Sequence, residues 1–257
     1  MQIWWVDLKL AALVFDVDGT IAETEEAHRQ SFNHAFIQEG LSWHWSTELY
    51  SELLVVTGGQ ERIRHYLTHY SPELKAPDCL PDFIEGLHKI KTRKFHEALS
   101  SGRIPLRPGV KRLIQEMRAA DVRLGIATTT THSNVITLLE TSMEPDAPGW
   151  FDVIAAGDVV PRKKPAPDVY HLALQELGGV PDACLVIEDS QNGLRSALDA
   201  GLKTVITVSQ YTQTHNFSGA SLVVDHLGEP DMPSTASKGS LNASRCIDLN
   251  LLESLLC

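Results

Sequence analysis

The sequence is short of cysteine and of positive charge. Its four cysteines, Cys79, Cys184, Cys246 and Cys257, are scattered over 257 residues, with no CxxC pair and no zinc-ligand spacing. This pattern predicts reduced thiols in a cytoplasmic protein rather than a disulfide framework. Lysine and arginine number 22 against 33 acidic residues, a formal net charge of −11. Because neutralising a nucleic-acid backbone needs clustered basic residues, we expect no nucleic-acid partner.

Long apolar runs are also missing. No stretch approaches the roughly 20 apolar residues that span a bilayer, so we expect no membrane partner. Residues Met1–Leu10 include Trp4 and Trp5 but lack a basic segment followed by an apolar one, so we expect no secretory signal. A hydrophobic content of 43% is enough for a substantial core, in one large domain or a domain with a subdomain.

The stretch Ala11–Thr20 is the most informative part of the sequence. An apolar run ends abruptly in Asp16 and Asp18, followed by a glycine and a threonine. A continuous apolar run is typical of a buried parallel strand, and ligands bind beyond the carboxyl ends of such strands. Residues two apart in an extended chain point to the same side. The two aspartates can therefore hold a cation and still leave one oxygen free to attack an electrophile.

Two further fragments can bind phosphate. In Gly125–Thr131 an apolar strand ends in four threonines, whose hydroxyl and backbone N–H groups can donate to phosphate oxygens. In Arg162–Asp168, Lys164 precedes a proline and is therefore biased towards extended structure. Its ammonium can neutralise a carboxylate and a phosphoryl group together, and the neighbouring Lys163 could contribute to phosphate binding.

The last fragment, Leu185–Gly193, is a second apolar strand that ends in paired acids. Glu188 and Asp189 stand where a buried charge would be costly without compensation. Hard cations such as Mg²⁺ prefer oxygen ligands. We therefore expect these acids to complete a metal site that begins with Asp16.

The remaining pattern predicts a helical insertion followed by alternating strands and helices. Helical periodicity covers residues 21–40, 47–57, 60–70 and 81–99. Beyond the return segment 103–109, strands are predicted over 123–128, 153–156, 184–188, 203–208 and 221–224, with helices over 110–120, 133–141, 167–177 and 193–200. This alternation predicts an α/β fold with a doubly wound parallel sheet. We expect an irregular tail over 228–244 and a closing helix over 247–256.

Taken together in this order, the four fragments resemble the motifs of the haloacid dehalogenase (HAD) superfamily over nearly the whole chain. The stretches Asp16–Arg29, Gly58–Ile63 and Ala127–Thr131 are most similar to the CbbY group of its β-phosphoglucomutase-like branch. The resemblance implies a core of residues 1–22 and 105–257, with a helical C1-type cap of residues 23–104 inserted after the first strand. It also implies a cytoplasmic protein, expected to be a monomer, that acts on a sugar phosphate, with xylulose-1,5-bisphosphate the substrate associated with the group.

The resemblance further implies a role for each core residue. Asp16 would be the nucleophile that becomes an aspartyl phosphate, and Asp18 the acid that protonates the leaving sugar oxygen and then the base that activates water. A dehalogenase needs no such second aspartate. Mg²⁺ would be held by Asp16, by the Asp18 carbonyl and by Glu188 and/or Asp189. Lys164 would neutralise negative charge, and Thr128 and the backbone of Thr129 would bind phosphate. Ser190 and Asn192 would support these residues from outside the site.

Substrate selection is expected in the cap, which would close over the site and exclude water. Arg62 offers a two-pronged donor for a second, non-reacting phosphate, and Gly58 and Gly59 allow close backbone approach. The remaining candidate substrate-binding residues are Glu23, Thr24, His28, Tyr50 and Lys91.

The sequence leaves three functional hypotheses to compare. The first is a Mg²⁺-dependent phosphatase of a sugar bisphosphate. The second is a β-phosphoglucomutase-type isomerase that uses the same core residues, and His28 keeps it open because it stands at the spacing seen in those mutases. The third, a non-catalytic binding module, is disfavoured because every expected catalytic group is present. Release of free phosphate separates the first two.

Overall fold

The computed structural model describes residues 9–70, 79–157 and 159–256, so that Trp4, Trp5 and Cys257 lie outside the described residues. In the described part, one seven-stranded sheet has the order β3-β2-β1-β4-β5-β6-β7. The strands are β1 (Ala12–Phe15), β2 (Arg123–Thr128), β3 (Val153–Ala156), β4 (Cys184–Glu188), β5 (Lys203–Thr207), β6 (Leu222–Val224) and β7 (Ala236–Lys238). The first six pair in parallel, which confirms the predicted α/β fold.

Helices cover both faces of the sheet and build the insertion after β1. In chain order they are α1 (Glu25–Gln38), α2 (Thr47–Leu53), α3 (Gly59–His69), α4 (Leu80–Ser100), α5 (Val110–Ala119), α6 (His132–Ser142), α7 (Asp168–Leu177), α8 (Gln191–Asp199) and α9 (Leu249–Ser254). Short 3-10 helices occur at Ala147–Trp150 and Pro181–Ala183.

Strand β1 lies inside the sheet, between β2 and β4, and is buried on both faces. Leu13 and Phe15 pack into one hydrophobic cluster, together with α5, α6 and α9. Ala12 and Val14 pack into another, together with α7. Because side chains alternate along a strand, four consecutive apolar residues supply both layers. The strand consequently ends with Asp16 at the buried carboxyl edge.

Helices α1–α4 enclose an aromatic cluster of their own. Phe32 and Phe36 pack on Trp43, Trp45 and Tyr50, with ring centroids 4.6 Å apart for Phe32 and Trp45. This cluster holds the four helices of the insertion together. The exact division into a core and a cap over residues 23–104 stays a prediction.

Two local features differ from expectation. The first insertion helix begins at Glu25 rather than Ile21, because Asp18–Ala22 forms a turn in which Gly19 adopts φ +79° and its N–H donates to the Ala22 carbonyl. The tail predicted to be irregular contains β7, which pairs antiparallel with β6. A three-residue edge strand is held by backbone hydrogen bonds and needs no apolar pattern.

No helix within the described ranges combines the length and apolar character needed to cross a bilayer.

Candidate active site

Three acidic side chains meet at the carboxyl edge of β1 and β4. Asp16 directly follows β1, Glu188 ends β4, and Asp189 comes next; one oxygen of each lies within 4.8 Å of the others. All three residues are buried. The topology explains their proximity, because β1 and β4 are neighbours in register, with Phe15 opposite Ile187.

Lys164 neutralises part of this charge. Its Nζ lies 2.7 Å from Oδ1 of Asp16 and 2.6 Å from Oε1 of Glu188, and it donates to the Ala127 carbonyl at 2.8 Å. One ammonium among three carboxylates leaves surplus negative charge. Burial, and then the neighbouring Glu188 and Asp16, raise the pKa of Asp189 well above its usual value. Burial likewise raises the pKa of Asp16 to about 8, against the opposing effect of Lys164.

This cluster fits a divalent cation. Its donor atoms are carboxylate oxygens, which hard cations prefer, and a bound cation would compensate the charge that raises the pKa of Asp189.

Glu188 is the most tightly held of the three acids. Its Oε1 accepts from the Tyr170 hydroxyl at 2.8 Å, and its Oε2 accepts from the backbone N–H of Asp189 at 3.0 Å and from Ser190 Oγ at 3.2 Å. Asp16 and Asp189 have fewer protein partners and are the freer ligands.

Two glycines make room for these carboxylates. A Cβ on Gly193, in the first turn of α8, would stand 1.8 Å from Glu188 Oε1. A Cβ on Gly19 would stand 2.2 Å from Asp189 Oδ2, and its φ of +79° disfavours a side chain in any case. Both positions therefore require glycine for a steric reason.

Asp18 has a separate set of partners. Its Oδ1 accepts from Thr24 Oγ1 at 2.6 Å and lies 3.1 Å from His28 Nε2, while its Oδ2 accepts from the Thr130 hydroxyl. Burial would raise the pKa of Asp18, but His28 and the hydroxyl donors outweigh it and hold the pKa below its usual range. Asp18 is therefore ionised in this structure, with a hydrogen-bonded shell that fixes its orientation.

Lys91 determines which nitrogen of His28 carries the proton. Lys91 Nζ lies 2.6 Å from His28 Nδ1. An ammonium has no lone pair and must donate, so Nδ1 accepts and Nε2–H donates to Asp18. Burial, and next the charge of Lys91, lower the pKa of His28, which is consistent with a neutral ring. Burial also lowers the pKa of Lys91 to about 8.

Threonines at the end of β2 form the next side of the cavity. Thr128 is buried, and its Oγ1 accepts from the Thr130 N–H at 3.2 Å. Both residues line the same cavity as Asp16 and Asp18, together with Thr129 and Thr131. The edge formed by β1, β2 and β4 therefore combines acids, an ammonium and hydroxyl donors.

Tyr50 connects two polar residues of the insertion that face the cavity. Its hydroxyl donates to Glu25 Oε2 at 2.8 Å and accepts from Arg62 NH1 at 2.9 Å. Arg62 is held further by donation to the carbonyls of Leu53 and Val56. Tyr50 is fully buried in the aromatic cluster, so a rigid side chain positions both charged groups.

The predicted substrate-binding residues divide into two sets. His28, Gly58, Gly59, Arg62, Lys91 and Thr129 line the cavity. Glu23, Thr24 and Tyr50 are outside that lining. Thr24 contacts Asp18 and Tyr50 contacts Arg62, whereas Glu23 pairs with Arg107 at 3.1 Å. Glu25, two residues along, faces the cavity instead.

The sequence did not single out several residues that the structure places here. Thr130 donates to Asp18, and only the run of four threonines could have indicated it. Tyr170, on α7, donates to Glu188, but the sequence pattern of that helix predicts only that it is a buried core residue. His88 lines the cavity beside Gly59, and burial lowers its pKa to about 4.

The insertion and the core also touch at the mouth of the cavity. Lys163 Nζ lies 2.9 Å from Glu61 Oε1, and Asn192 Nδ2 donates to the Val55 carbonyl at 2.9 Å. Ser190, expected to support the site, bonds Glu188 and accepts from the Gly193 N–H as the cap of α8. The cavity is thus closed on one side by the insertion.

Comparison with known proteins identifies relatives over most of the chain. Residues 13–207 match the family model described as haloacid dehalogenase-like hydrolase. The chain is 48% identical to the plasmid CbbY protein of Cupriavidus necator, over 87% of this chain and 88% of that protein. It is 47% identical to CbbY of Rhodobacter capsulatus, over 90% of this chain and 97% of that protein.

Solved structures agree with this assignment. A crystal structure of CbbY from Rhodobacter sphaeroides in complex with xylulose-(1,5)bisphosphate has a TM-score of 0.79 and 45% identity, covering 86% of this chain and 96% of that one. The β-phosphoglucomutase of Clostridium difficile shares the fold at a TM-score of 0.70 and 20% identity, covering 84% of this chain and 91% of that one. The resemblance predicted from the motifs is confirmed: the chain belongs to the haloacid dehalogenase-like hydrolase family, as a phosphatase that groups with the CbbY proteins.

Proposed function

We propose that this protein releases inorganic phosphate from a sugar bisphosphate of the xylulose-1,5-bisphosphate type, using Mg²⁺ and an aspartyl phosphate on Asp16. The observation that carries the proposal is a single cavity lined by charged groups from both parts of the chain. Asp16, Asp189 and Lys164 line it from the core, and Arg62 and Lys91 line it from the insertion. A substrate with two phosphates matches such a cavity better than a monophosphate does.

In the first half-reaction, an oxygen of Asp16 attacks phosphorus and the bond from phosphorus to the sugar oxygen breaks. Asp18 gives its proton to the departing sugar oxygen, so the sugar leaves as an alcohol. Asp18 is ionised in the substrate-free structure and must first gain a proton. The negative charge of an arriving phosphate favours that protonation.

In the second half-reaction, a water molecule attacks the phosphorus of the aspartyl phosphate. Asp18 accepts a proton from this water, and the bond between phosphorus and Asp16 breaks. The hydrogen bonds from Thr24, His28 and Thr130 favour the ionised form of Asp18, which suits a base. Inorganic phosphate leaves and Asp16 is regenerated.

The charge on the transferring group needs compensation throughout. Lys164 holds Asp16 and would contact a phosphoryl oxygen, while Thr128 and the Thr129 N–H would donate to the others. Asp16, Glu188 and Asp189 would hold Mg²⁺, with the Asp18 carbonyl as a further ligand. The cation, when bound, supplies additional stabilisation of negative charge on the phosphoryl oxygens.

The cap would select the sugar. Arg62 is fixed by Tyr50 and two backbone carbonyls, so its guanidinium is ordered before substrate arrives. A prearranged guanidinium binds phosphate with two parallel hydrogen bonds and loses little entropy in doing so. The complex of the 45% identical CbbY with xylulose-(1,5)bisphosphate supports this substrate type.

The test is phosphate release with Mg²⁺ from xylulose-1,5-bisphosphate, ribulose-1,5-bisphosphate and β-glucose-1-phosphate. We expect fast release with a strong preference for xylulose-1,5-bisphosphate, and loss of that preference in Arg62→Ala. Conversion of β-glucose-1-phosphate to glucose-6-phosphate without phosphate release would make the protein an isomerase and refute the proposal. Equal release from all three sugars would refute the substrate assignment alone.

A further inference from the structure

A tyrosine of the core is buried inside the aromatic cluster of the insertion. Tyr211 belongs to the loop between β5 and β6, yet it packs against Tyr50 in the aromatic cluster that otherwise belongs to the insertion. It is 3% exposed. Its ring stands edge-on to that of Tyr50, at 89° and with 5.6 Å between centroids. The core therefore reaches into the insertion through this side chain.

The hydroxyl of Tyr211 is also bound. It donates to Glu26 Oε2, and Arg29 holds the same carboxylate through Nε at 2.9 Å and NH2 at 2.5 Å. Arg29 in turn donates to the Trp45 carbonyl at 2.8 Å. The hydrogen bonds from Arg29 lower the pKa of Glu26 to about 2. Tyr211 thus donates to an ionised acceptor that is itself anchored on the first insertion helix.

The same loop reaches the cavity, which Thr212 and His215 line together with Asp189. Ser209 N–H donates to Thr212 Oγ1 at 3.0 Å, and both residues are buried. Only Gln210 separates Ser209 from Tyr211, so one short turn, closed by the bond from the Thr212 N–H to the Ser209 carbonyl, joins the cavity wall to the tyrosine that enters the insertion.

We propose that Tyr211 is a positioning residue that docks the cap on the core and, through Tyr50, sets the place of Arg62 in the substrate cavity. The Lys163–Glu61 and Asn192–Val55 contacts lie at the cavity mouth, and Thr24 and His28 bond Asp18 inside the site, whereas Tyr211 is inserted among the packed rings of the insertion. Removing Tyr211 takes away a ring that packs edge-on against Tyr50, so the position of Tyr50 becomes less fixed. Tyr50 then holds Arg62 and Glu25 less firmly, and a substrate that relies on Arg62 binds more weakly. The inference rests on the proposed function for its substrate.

The experiment compares Tyr211→Phe and Tyr211→Ala with the wild type and with Tyr70→Phe, which removes a hydroxyl bonded to Glu52 on the cap surface. Each protein is assayed on xylulose-1,5-bisphosphate and on p-nitrophenyl phosphate, which has no second anionic group. Hydrogen exchange is followed in α1 and in residues 54–58. Tyr211→Phe keeps the ring and guards against a variant that fails to fold.

We expect Tyr211→Ala to raise KM for the bisphosphate about tenfold with little change in kcat, to leave p-nitrophenyl phosphate hydrolysis unchanged, and to speed exchange in α1. Tyr211→Phe, which keeps the ring against Tyr50 and loses only the bond to Glu26, has a smaller effect of the same kind, and Tyr70→Phe has none. Equal losses on both substrates, together with a lower unfolding midpoint, would show a purely structural role and overturn the inference. Wild-type exchange and KM in Tyr211→Ala would overturn it as well.

Failure of the proposed function gives a different result. If the wild type releases no phosphate from the bisphosphate, the substrate assignment fails. The hydrogen-exchange rates of the wild type and the Tyr211 variants then test on their own whether Tyr211 docks the cap. Faster exchange in α1 and residues 54–58 of the Tyr211 variants then supports docking, and unchanged exchange refutes it.

Discussion

Lys164 and Asp16 form a buried ion pair, with 2.7 Å between Nζ and Oδ1, and Lys164 is shared with Glu188. The lysine follows β3 by eight residues, while the two acids end β1 and β4. Three segments far apart in sequence thus contribute to one charge cluster. The ammonium lies between Asp16 and Glu188, whose strands are neighbours in register.

Replacing Lys164 by methionine should test this role. Removing one partner of a buried pair leaves uncompensated charge and costs about 3–5 kcal/mol. We expect Lys164→Met to lower the free energy of unfolding in urea by that order, in the presence of a chelator, and to abolish turnover. The control is Lys89→Met, which breaks an exposed pair with Glu85 and should change stability by less than about 1 kcal/mol. Similar stabilities for the two variants would contradict the account.

The metal prediction can be tested without turnover. We expect Mg²⁺ to raise the melting temperature of the wild type, by an amount equivalent to about 2.7 kcal/mol at a concentration 100 times Kd. In Asp189→Asn the effect should disappear. Without metal, this variant should be at least as stable as the wild type, because burial and neighbouring acids disfavour the Asp189 charge. A wild type that does not respond to Mg²⁺, with KCl as the ionic-strength control, would refute the site.

Lys91 should give the enzyme a pH dependence above neutrality. Burial lowers its pKa to about 8; the charge of Arg62 lowers it too, while Asp18 and Glu25 oppose the shift. As pH rises past 8, the free enzyme loses this ammonium and binds an anionic substrate less well. With saturating Mg²⁺, kcat/KM for the bisphosphate should fall between pH 7.5 and 9.5. If substrate binding requires the charge of Lys91, the fall approaches about tenfold per pH unit above the pKa of Lys91.

The matched variant for this profile is Lys91→Arg, because a guanidinium stays protonated over the whole range. Its kcat/KM should be flat where the wild type declines. A decline of equal size in both proteins would show that another group titrates.

Asp18→Asn separates catalysis from folding and metal binding. An asparagine keeps the size of the side chain and can still accept from Thr24 and His28, so the fold and the Mg²⁺-dependent rise in melting temperature should survive. Turnover should fall by about 10²–10⁴, the usual contribution of a general acid–base. Near-normal turnover by this variant would remove Asp18 from its proposed role.

The core of the site could be predicted because its signals are local. An apolar strand ending in acids marks Asp16 and Glu188 in the sequence, and parallel topology brings such strand ends together. Lys164 was marked by the proline that follows it. Tyr170 and Tyr211 carried no such signal, because a tyrosine in a helix or in an aperiodic loop gives no indication of where its hydroxyl points.

The predicted start of the first insertion helix was wrong for a geometric reason. The predicted helix began at Ile21, whereas α1 begins at Glu25, after the turn at Gly19. The shift places Glu23 beside Arg107 before the helix starts, and it places Glu25 and His28 together on the first turn facing the cavity. The helix start lies four residues later than predicted, and Glu25 lines the cavity while Glu23 does not.

The central claim is that Asp16 carries the phosphoryl group and that water then removes it. The most direct test is a single turnover of xylulose-1,5-bisphosphate with Mg²⁺, quenched in acid at short times and followed by mass spectrometry of the peptide containing Asp16. The account predicts a phosphorylated peptide that rises and decays as inorganic phosphate is released, and that is absent in Asp16→Asn. Phosphate release at the wild-type rate with no phosphopeptide at any time, or in Asp16→Asn, would contradict it.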